Sequence, residues 1–352
     1  MTVTRREFLA ASAGLATLGA ASAEPPRAGL GVLLYSYGIR AAAEKDKGFS
    51  DAAAFVEFCH ARGAAGVQVS LGNRTEADAK KLRGRCAELG MYLEGIVRAP
   101  TDEKDVERFE GEIRAAVACG ADVLRTVMLG GRRYETFTKA DDYPRFAERS
   151  EKSLKLAEPV VRRHKVKLAV ENHKDYRTDE LVDLMKRLGS EFVGVTLDTG
   201  NSIALLEDAL DTARALAPFT FTVHLKDMGV EESRDGFLLA EVPLGQGLLD
   251  LKAIVAAVRA ANPKARFNLE MITRDPLSIP CLTEKYWATL ERVPGRDLAR
   301  TLAWVRANPR KDPLPRITKL PREEQLKAED RHVRESFEFA AKEKLVSSLP
   351  PG

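Results

Sequence analysis

Short apolar runs of β type alternate with helical patterns eight times along this chain, and that alternation limits its fold more than any other feature. The runs are Leu30 to Tyr35, Gly66 to Ser70, Met91 to Val97, Val123 to Met128, Val166 to Glu171, Phe192 to Asp198, Phe219 to Leu225 and Ala265 to Met271. After the first run and the polar turn Ser36-Tyr37-Gly38, Ser50 caps a segment whose apolar positions Ala53, Phe55, Val56 and Cys59 share one helical face. Helical patterns follow at Thr75 to Leu89, Asp102 to Cys119, Asp142 to His164, Thr178 to Leu188, Leu206 to Leu216, Asp250 to Ala261 and Gly295 to Ala307. Strands alternating with helices build a parallel sheet, and eight such units over about 280 residues fit an α/β (β/α)8 TIM barrel. The alternative is an open doubly wound sheet, but no GxGxxG or P-loop glycine pattern follows the first run. The barrel is expected over residues 24–308, with Gly236 to Gln246 as a hairpin inserted in it.

Residues 309–352 form a C-terminal helical extension. A proline-rich linker (Pro309, Pro313, Pro315, Pro321) leads to a charged helical pattern from Glu323 to Leu345. Such a helix either lies across the barrel exterior or supplies a homo-oligomer contact. Residues 1–23 read as a twin-arginine export signal. Thr4-Arg5-Arg6-Glu7-Phe8-Leu9 precedes a moderately apolar stretch, Leu9 to Ala21, and Ala21-Ser22-Ala23 fits the small-x-small cleavage pattern. The apolar stretch is shorter than the roughly 20 residues of a membrane span, so cleavage leaves no stable membrane anchor and a periplasmic or secreted protein. The formal charge of +3 becomes +2 without Arg5, Arg6 and Glu7, too weak and dispersed for a nucleic-acid partner. Cys59, Cys86, Cys119 and Cys281 show no CxxC spacing and are expected as free thiols.

Four consecutive runs end in a potential metal ligand: Glu171, Asp198, His224 and Glu270. In a barrel the C-terminal strand ends face one mouth, and adjacent strands lie about 4.8 Å apart, so these four ends form an arc around a single ion. Three carboxylates and one imidazole suit a divalent ion, Mn2+ first, with Mg2+, Co2+ or Zn2+ as alternatives, and no Cys/His structural zinc set competes. Taken singly, each carboxylate is as readily a helix cap, and His224 an interior histidine.

The motifs around these ends resemble the xylose-isomerase-like superfamily of TIM-barrel sugar isomerases and epimerases, of the D-tagatose 3-epimerase and inosose dehydratase type. They are Val170-Glu171-Asn172-His173, Leu197-Asp198-Thr199-Gly200-Asn201, Val223-His224-Leu225-Lys226-Asp227, Gly245-Gln246-Gly247-Leu248-Leu249-Asp250 and Leu269-Glu270, and the likeness spans about Leu30 to Asn308. The resemblance implies that Glu171, Asp198, His224 and Glu270 bind one divalent metal and that Glu171 and Glu270 form an acid/base pair. The chemistry agrees. A chelated ketose has an acidified α-hydrogen because the metal stabilises the enediolate, and two glutamates on opposite sides can remove and return the proton. The chain departs from the epimerase pattern at Asn201, where a histidine is usual, and at Met228-Gly229-Val230, where an arginine is missing.

A sugar or keto-sugar isomerase or epimerase is therefore the leading expectation. A lyase or dehydratase that expels a β-substituent from the same enediolate is the first alternative, and a non-catalytic carbohydrate-binding barrel the second. The related endonuclease IV type needs a histidine-rich three-zinc site, which five histidines and a near-neutral charge disfavour. Lys226 is a further catalytic candidate, as an enolate-stabilising cation or a base of lowered pKa, its alternative being a salt bridge to Glu171 or Asp198. His173, Asn201, Glu94 and Trp287 are candidate substrate contacts, with Gln68 a weaker one. Gly130-Gly131-Arg132-Arg133 is either an anion site or a solvated loop.

Overall fold

Apolar strands buried on both faces pack well only inside a ring of helices, and this is the arrangement the chain adopts. The computed structural model describes residues 29–72 and 74–346; the proposed export signal and the last residues of the extension lie outside that range. Seven strands follow one another in the chain: β1 (Gly31–Leu33), β2 (Gly66–Ser70), β3 (Tyr92–Ile96), β4 (Val123–Thr126), β5 (Lys167–Glu171), β6 (Val193–Asp198) and β7 (Thr220–Leu225). A hairpin of β8 (Asp227–Ser233) and β9 (Gly236–Val242) then intervenes, and β10 (Arg266–Leu269) closes a parallel eight-stranded barrel between β7 and β1. β11 (Leu277–Ile279) pairs antiparallel with β9 to complete a separate three-stranded sheet.

The helices are α1 (Gly38–Ala43), α2 (Ala52–His60), α3 (Glu76–Glu88), α4 (Val106–Ala118), α5 (Arg133–Thr136), α6 (Asp142–His164), α7 (Thr178–Leu188), α8 (Ala209–Leu216), α9 (Leu251–Ala261), α10 (Gly295–Ala307) and α11 (Arg322–Lys342). The barrel and its C-terminal helix are thus as the alternation implies. Among the described residues no helix is long and apolar enough to cross a membrane. All four cysteines are buried and free.

Three local readings change. Asp51, not Ser50, caps α2, accepting from the Ala53 amide at 2.9 Å. The pattern read as a helix from Leu206 is broken there: Leu206 is left-handed (φ 62°), and α8 starts after Asp208, whose carboxylate accepts from the amides of Leu210 and Asp211. The hairpin begins just after β7, with only Lys226 between Leu225 and Asp227, the first residue of β8. The Asp227 carboxylate accepts from the amides of Met228, Gly245, Gly247 and Leu249 at 2.9–3.1 Å. A Cβ on Gly247 would sit 2.1 Å from Asp227 Oδ1, which explains the glycine in the Gly245-Gln246-Gly247 motif.

The extension does more than lie along the barrel wall. The Glu329 carboxylate in α11 accepts from the backbone amides of Ile39 (2.6 Å) and Arg40 (3.0 Å), just after β1. His332 Nδ1 lies 3.0 Å from Thr273 Oγ1, in the loop after β10, and Ser336 Oγ accepts from the Leu244 amide after β9. Phe339 fills the space beside Gly245. Three loops on the C-terminal side of the barrel are therefore tied to one helix.

Candidate metal centre

Parallel pairing brings the four strand-end ligands together. Asp198 stands opposite His224 in the β6–β7 register, Glu171 ends β5 opposite Thr196, and the Glu270 amide continues the β10 ladder by donating to Leu225 O at 3.1 Å. One ligand atom from each of Glu171, Asp198, His224 and Glu270 lies within 4.8 Å of the others, and all four residues are buried. His224 Nδ1 is 3.4 Å from Glu171 Oε2 and 3.2 Å from Glu270 Oε2. Asp198 Oδ2, His224 Nδ1 and Glu270 Oε2 are buried and make no hydrogen bond. Lys226 is the cation that faces two of them, Asp198 Oδ2 and Glu270 Oε2, and His224 Nδ1 faces carboxylate oxygens; ligand atoms converging on one point in this way fit a cation there. The hard oxygen donors with one imidazole fit a divalent ion.

The imidazole is oriented for that role from below. His224 Nε2 lies 2.8 Å from Gln68 Oε1, an acceptor, so the proton belongs on Nε2 and the Nδ1 lone pair faces the carboxylates. Gln68 in turn donates to Glu94 Oε2 at 2.9 Å, and the same oxygen accepts from Thr222 Oγ1 and Asn268 Nδ2, each at 2.9 Å. Glu94 is fully buried in the barrel interior. Its expected place as a sugar contact is corrected: in the middle of β3 it lies below the mouth, and it orients Gln68.

Charged residues crowd the other side of the cluster. Arg125 in β4 sets Nε 2.6 Å and Nη2 2.5 Å from Glu171 Oε2. Burial alone would raise the Glu171 carboxyl, but the Arg125 guanidinium and its other neighbours hold it down at about 2. Burial lifts Asp198 to about 6. Lys226 Nζ lies 2.8 Å from Asp198 Oδ2, 3.0 Å from Glu270 Oε2 and 3.5 Å from Glu241 Oε1. Burial opposes its charge, yet these carboxylates keep its pKa above the ordinary value. Lys226 is thus a fixed cation; the reading as a base of lowered pKa is corrected, and the salt bridge to Asp198 is what forms.

Asn201 is committed inside the cluster. Its amide donates to Glu171 Oε1 (3.2 Å), while Oδ1 accepts from Lys174 and, at 3.5 Å, from Lys226. Its expected contact with a sugar hydroxyl gives way to positioning Glu171 and two lysines. His173 stays beside Glu171, with Nδ1 3.0 Å from Leu129 O, which leaves Nε2 as the atom to meet a ligand. Trp287 donates to Cys281 O at 3.0 Å and packs edge-on against Tyr286, whose hydroxyl donates to Ala204 O. That pair belongs to a packed layer, so Trp287, expected as a candidate substrate contact, is committed to Cys281 and Tyr286 instead. Arg132 and Arg133 are paired with Glu135 and Glu180, which removes them as an anion site.

Sequence reasoning missed Arg125, Lys174, Glu241 and Arg274. Glu241, fully enclosed on β9, accepts from Arg274 Nη2 at 2.6 Å, and Lys226 with Arg274 holds it at about 2 against the effect of burial. Arg125 also lines a cavity of about 470 Å3 over the ends of β1 to β4, with Tyr35, Ser70, Ile96 and Arg98. A cavity of that size at this end of the barrel is large enough for a small molecule.

A closed eight-stranded barrel with a buried Glu/Asp/His/Glu cluster at its C-terminal mouth makes this a TIM-barrel protein whose strand-end cluster is able to hold a cation. The chain belongs to the xylose isomerase-like TIM barrel family, whose pattern it matches over residues 54–306. It is similar to 3-oxo-isoapionate decarboxylase of Pectobacterium atrosepticum, 27% identical over 186 residues that cover 52% of this chain. The match spans 62% of that relative, less than two thirds of its length. Its fold is also that of L-ribulose 3-epimerase (TM-score 0.53, 15% identity, 92% of this chain and 99% of the other). The IOLI protein with a binding zinc atom is a further fold neighbour (TM-score 0.52, 13% identity, 78% and 98%).

Proposed function

We propose that this protein is a metal-dependent enzyme that moves a proton next to the carbonyl of a sugar or keto-sugar, in an isomerisation or epimerisation. The observation that carries this reading is the convergence of one ligand atom each from Glu171, Asp198, His224 and Glu270, all within 4.8 Å of one another, in a buried site. A divalent ion held by Glu171, Asp198, His224 and Glu270 would supply Lewis acidity to a substrate oxygen. Glu270 and Glu171 end strands on opposite sides of the cluster, and each carboxylate can take or return a proton at the carbon between them. Lys226, already cationic between Asp198 and Glu270, offers N–H donors to the oxygen on which charge develops. The cavity beside Arg125 provides the space for the rest of the sugar.

A second reading, elimination by a lyase or dehydratase, is favoured by the Arg125 contact. A glutamate oxygen approached by two guanidinium nitrogens is a weak proton acceptor, and elimination needs one base, not a matched pair. The family relationship and the decarboxylase relative are compatible with either outcome. Incubation with ketoses and keto-sugar acids in D2O, followed by NMR, separates them. Deuterium uptake with inversion or carbonyl migration supports isomerisation; loss of water or another β-substituent supports elimination. No exchange with any sugar in the metal-loaded protein contradicts both.

A further inference from the structure

Lys226 and a divalent ion would draw on the same two oxygens. The lysine Nζ is 2.8 Å from Asp198 Oδ2 and 3.0 Å from Glu270 Oε2, on a side chain only 2% exposed. Asp198 Oδ1 already accepts from the amides of Gly200 and Asn201, at 2.9 Å each, so Oδ2 is the oxygen left for a cation. Glu270 Oε2 is the oxygen that faces the cluster, 3.2 Å from His224 Nδ1. Both residues belong to the set whose ligand atoms lie within 4.8 Å of one another.

The ammonium is not locked to that pair. Neither Asp198 Oδ2 nor Glu270 Oε2 makes a hydrogen bond, so Nζ meets them at ion-pair distance but off the hydrogen-bonding direction. Its hydrogen bonds, each at 3.5 Å, go to Asn201 Oδ1 and Glu241 Oε1. Glu241 lies on β9, outside the four-residue cluster, and is buried there with Arg274 Nη2 at 2.6 Å. A second seat for the ammonium thus stands beside the first, on an acid that is not one of the four ligands. Lysine, a compact charge on a flexible four-carbon stem, is suited to moving between two such seats. Like charges close together in a buried site repel strongly, so an ion on Asp198 and Glu270 favours the second seat.

We propose that Lys226 is an internal placeholder for the divalent ion: its ammonium holds Asp198 and Glu270 together when no ion is bound, and ion binding shifts it onto Glu241 and Asn201. This inference rests on the metal-dependent reading above and gives Glu241, which is not a ligand, a part in ion binding. The ion and the ammonium compete, so the lysine lowers ion affinity while keeping the ion-free cluster compensated.

The test is calorimetric titration of Mn2+ into the chelator-treated full chain, with thermal melts before and after the ion is added. Lys226→Met removes the charge and keeps most of the stem. It should bind Mn2+ at least about 10-fold tighter than wild type, a coupling of ordinary size. Lys226→Gln should show the same gain should the methionine variant fail to fold, and Lys226→Arg, which keeps the charge, should show none. Ion-free Lys226→Met should melt below ion-free wild type, and Mn2+ should raise its melting temperature by more. Glu241→Gln should weaken Mn2+ binding by about 10-fold in an otherwise wild-type chain and have little effect combined with Lys226→Met, where no ammonium needs the second seat. Mn2+ binding in Lys226→Met and Lys226→Gln no tighter than in wild type, or a Glu241→Gln effect undiminished in the double variant, overturns the placeholder and leaves the metal centre standing. Failure of wild type and of every Lys226 variant to take up a divalent ion overturns the metal-dependent reading itself, and the placeholder with it.

Discussion

Arg125 approaches Glu171 with two nitrogens on one carboxylate oxygen, Nε at 2.6 Å and Nη2 at 2.5 Å, in a part of the barrel where both residues are buried. Removing one partner of a buried pair leaves the other charge without compensation, at a cost of about 3–5 kcal/mol. Arg125→Leu should lower stability by that order in metal-free protein, measured by urea denaturation. Saturating Mn2+ should restore part of the loss, because a cation at the cluster again faces Glu171. Unchanged stability in the metal-free variant would show that the pair is not coupled as the distances imply.

The contact from Gln68 Oε1 to His224 Nε2 makes a second test. Groups that orient a metal-binding histidine typically contribute 10–100-fold in metal affinity. Gln68→Met should weaken divalent-ion binding by about that factor while the fold persists. Equal affinity in wild type and Gln68→Met, read by ion titration, would argue that His224 needs no such support.

The C-terminal helix carries a pH dependence. Burial pushes the Glu329 carboxyl up to about 7, although the Ile39 and Arg40 amides work in the opposite direction. With the folded value above the ordinary one, the native state holds a proton that the unfolded state releases. Its contribution is complete below about pH 4.5 and is lost as pH rises through about 7. Glu329→Gln should flatten the stability–pH curve across that window by on the order of 2 kcal/mol. Asp175 and Glu207, also raised to about 7, keep a residual slope in both proteins. Identical slopes would show that Glu329 does not titrate with folding.

Glu171→Gln and Glu270→Gln are near-isosteric changes at the groups assigned to proton transfer. Each should reduce turnover by at least about 100-fold, the low end of what a positioned acid or base contributes, with the far-UV CD spectrum unchanged. His224→Ala should act mainly through lower ion occupancy, so excess metal should recover part of its activity. Turnover in either glutamine variant close to that of wild type would remove the glutamates from the chemistry.

Much of the fold is legible because the barrel repeats one rule: an apolar run, a helical face, a glycine stop. The four residues of the cluster are legible for the same reason, since each lies where a buried run gives way to polar residues. The supporting residues are not. Arg125 sits inside a four-residue strand, Val123–Thr126, in register with Ala169, and only the reach of its side chain along the strand brings it to Glu171. Lys174 is three residues past a strand, in a left-handed conformation that no periodicity announces. Glu94 has the composition of a mouth residue, but its partners Gln68, Thr222 and Asn268 come from three other strands, so only their meeting places it in the interior. The first arm of the hairpin hides behind Asp227, which reads as part of the metal motif while its carboxylate clasps four amides.

The central claim is that Glu171, Asp198, His224 and Glu270 hold one divalent ion. Metal analysis of the purified chain, with calorimetric titration of Mn2+ into the chelator-treated protein, tests it most directly. The expected result is one bound or bindable ion per chain, with occupancy lost in Asp198→Asn and His224→Ala. A folded wild-type chain that neither carries nor takes up a divalent ion would contradict it.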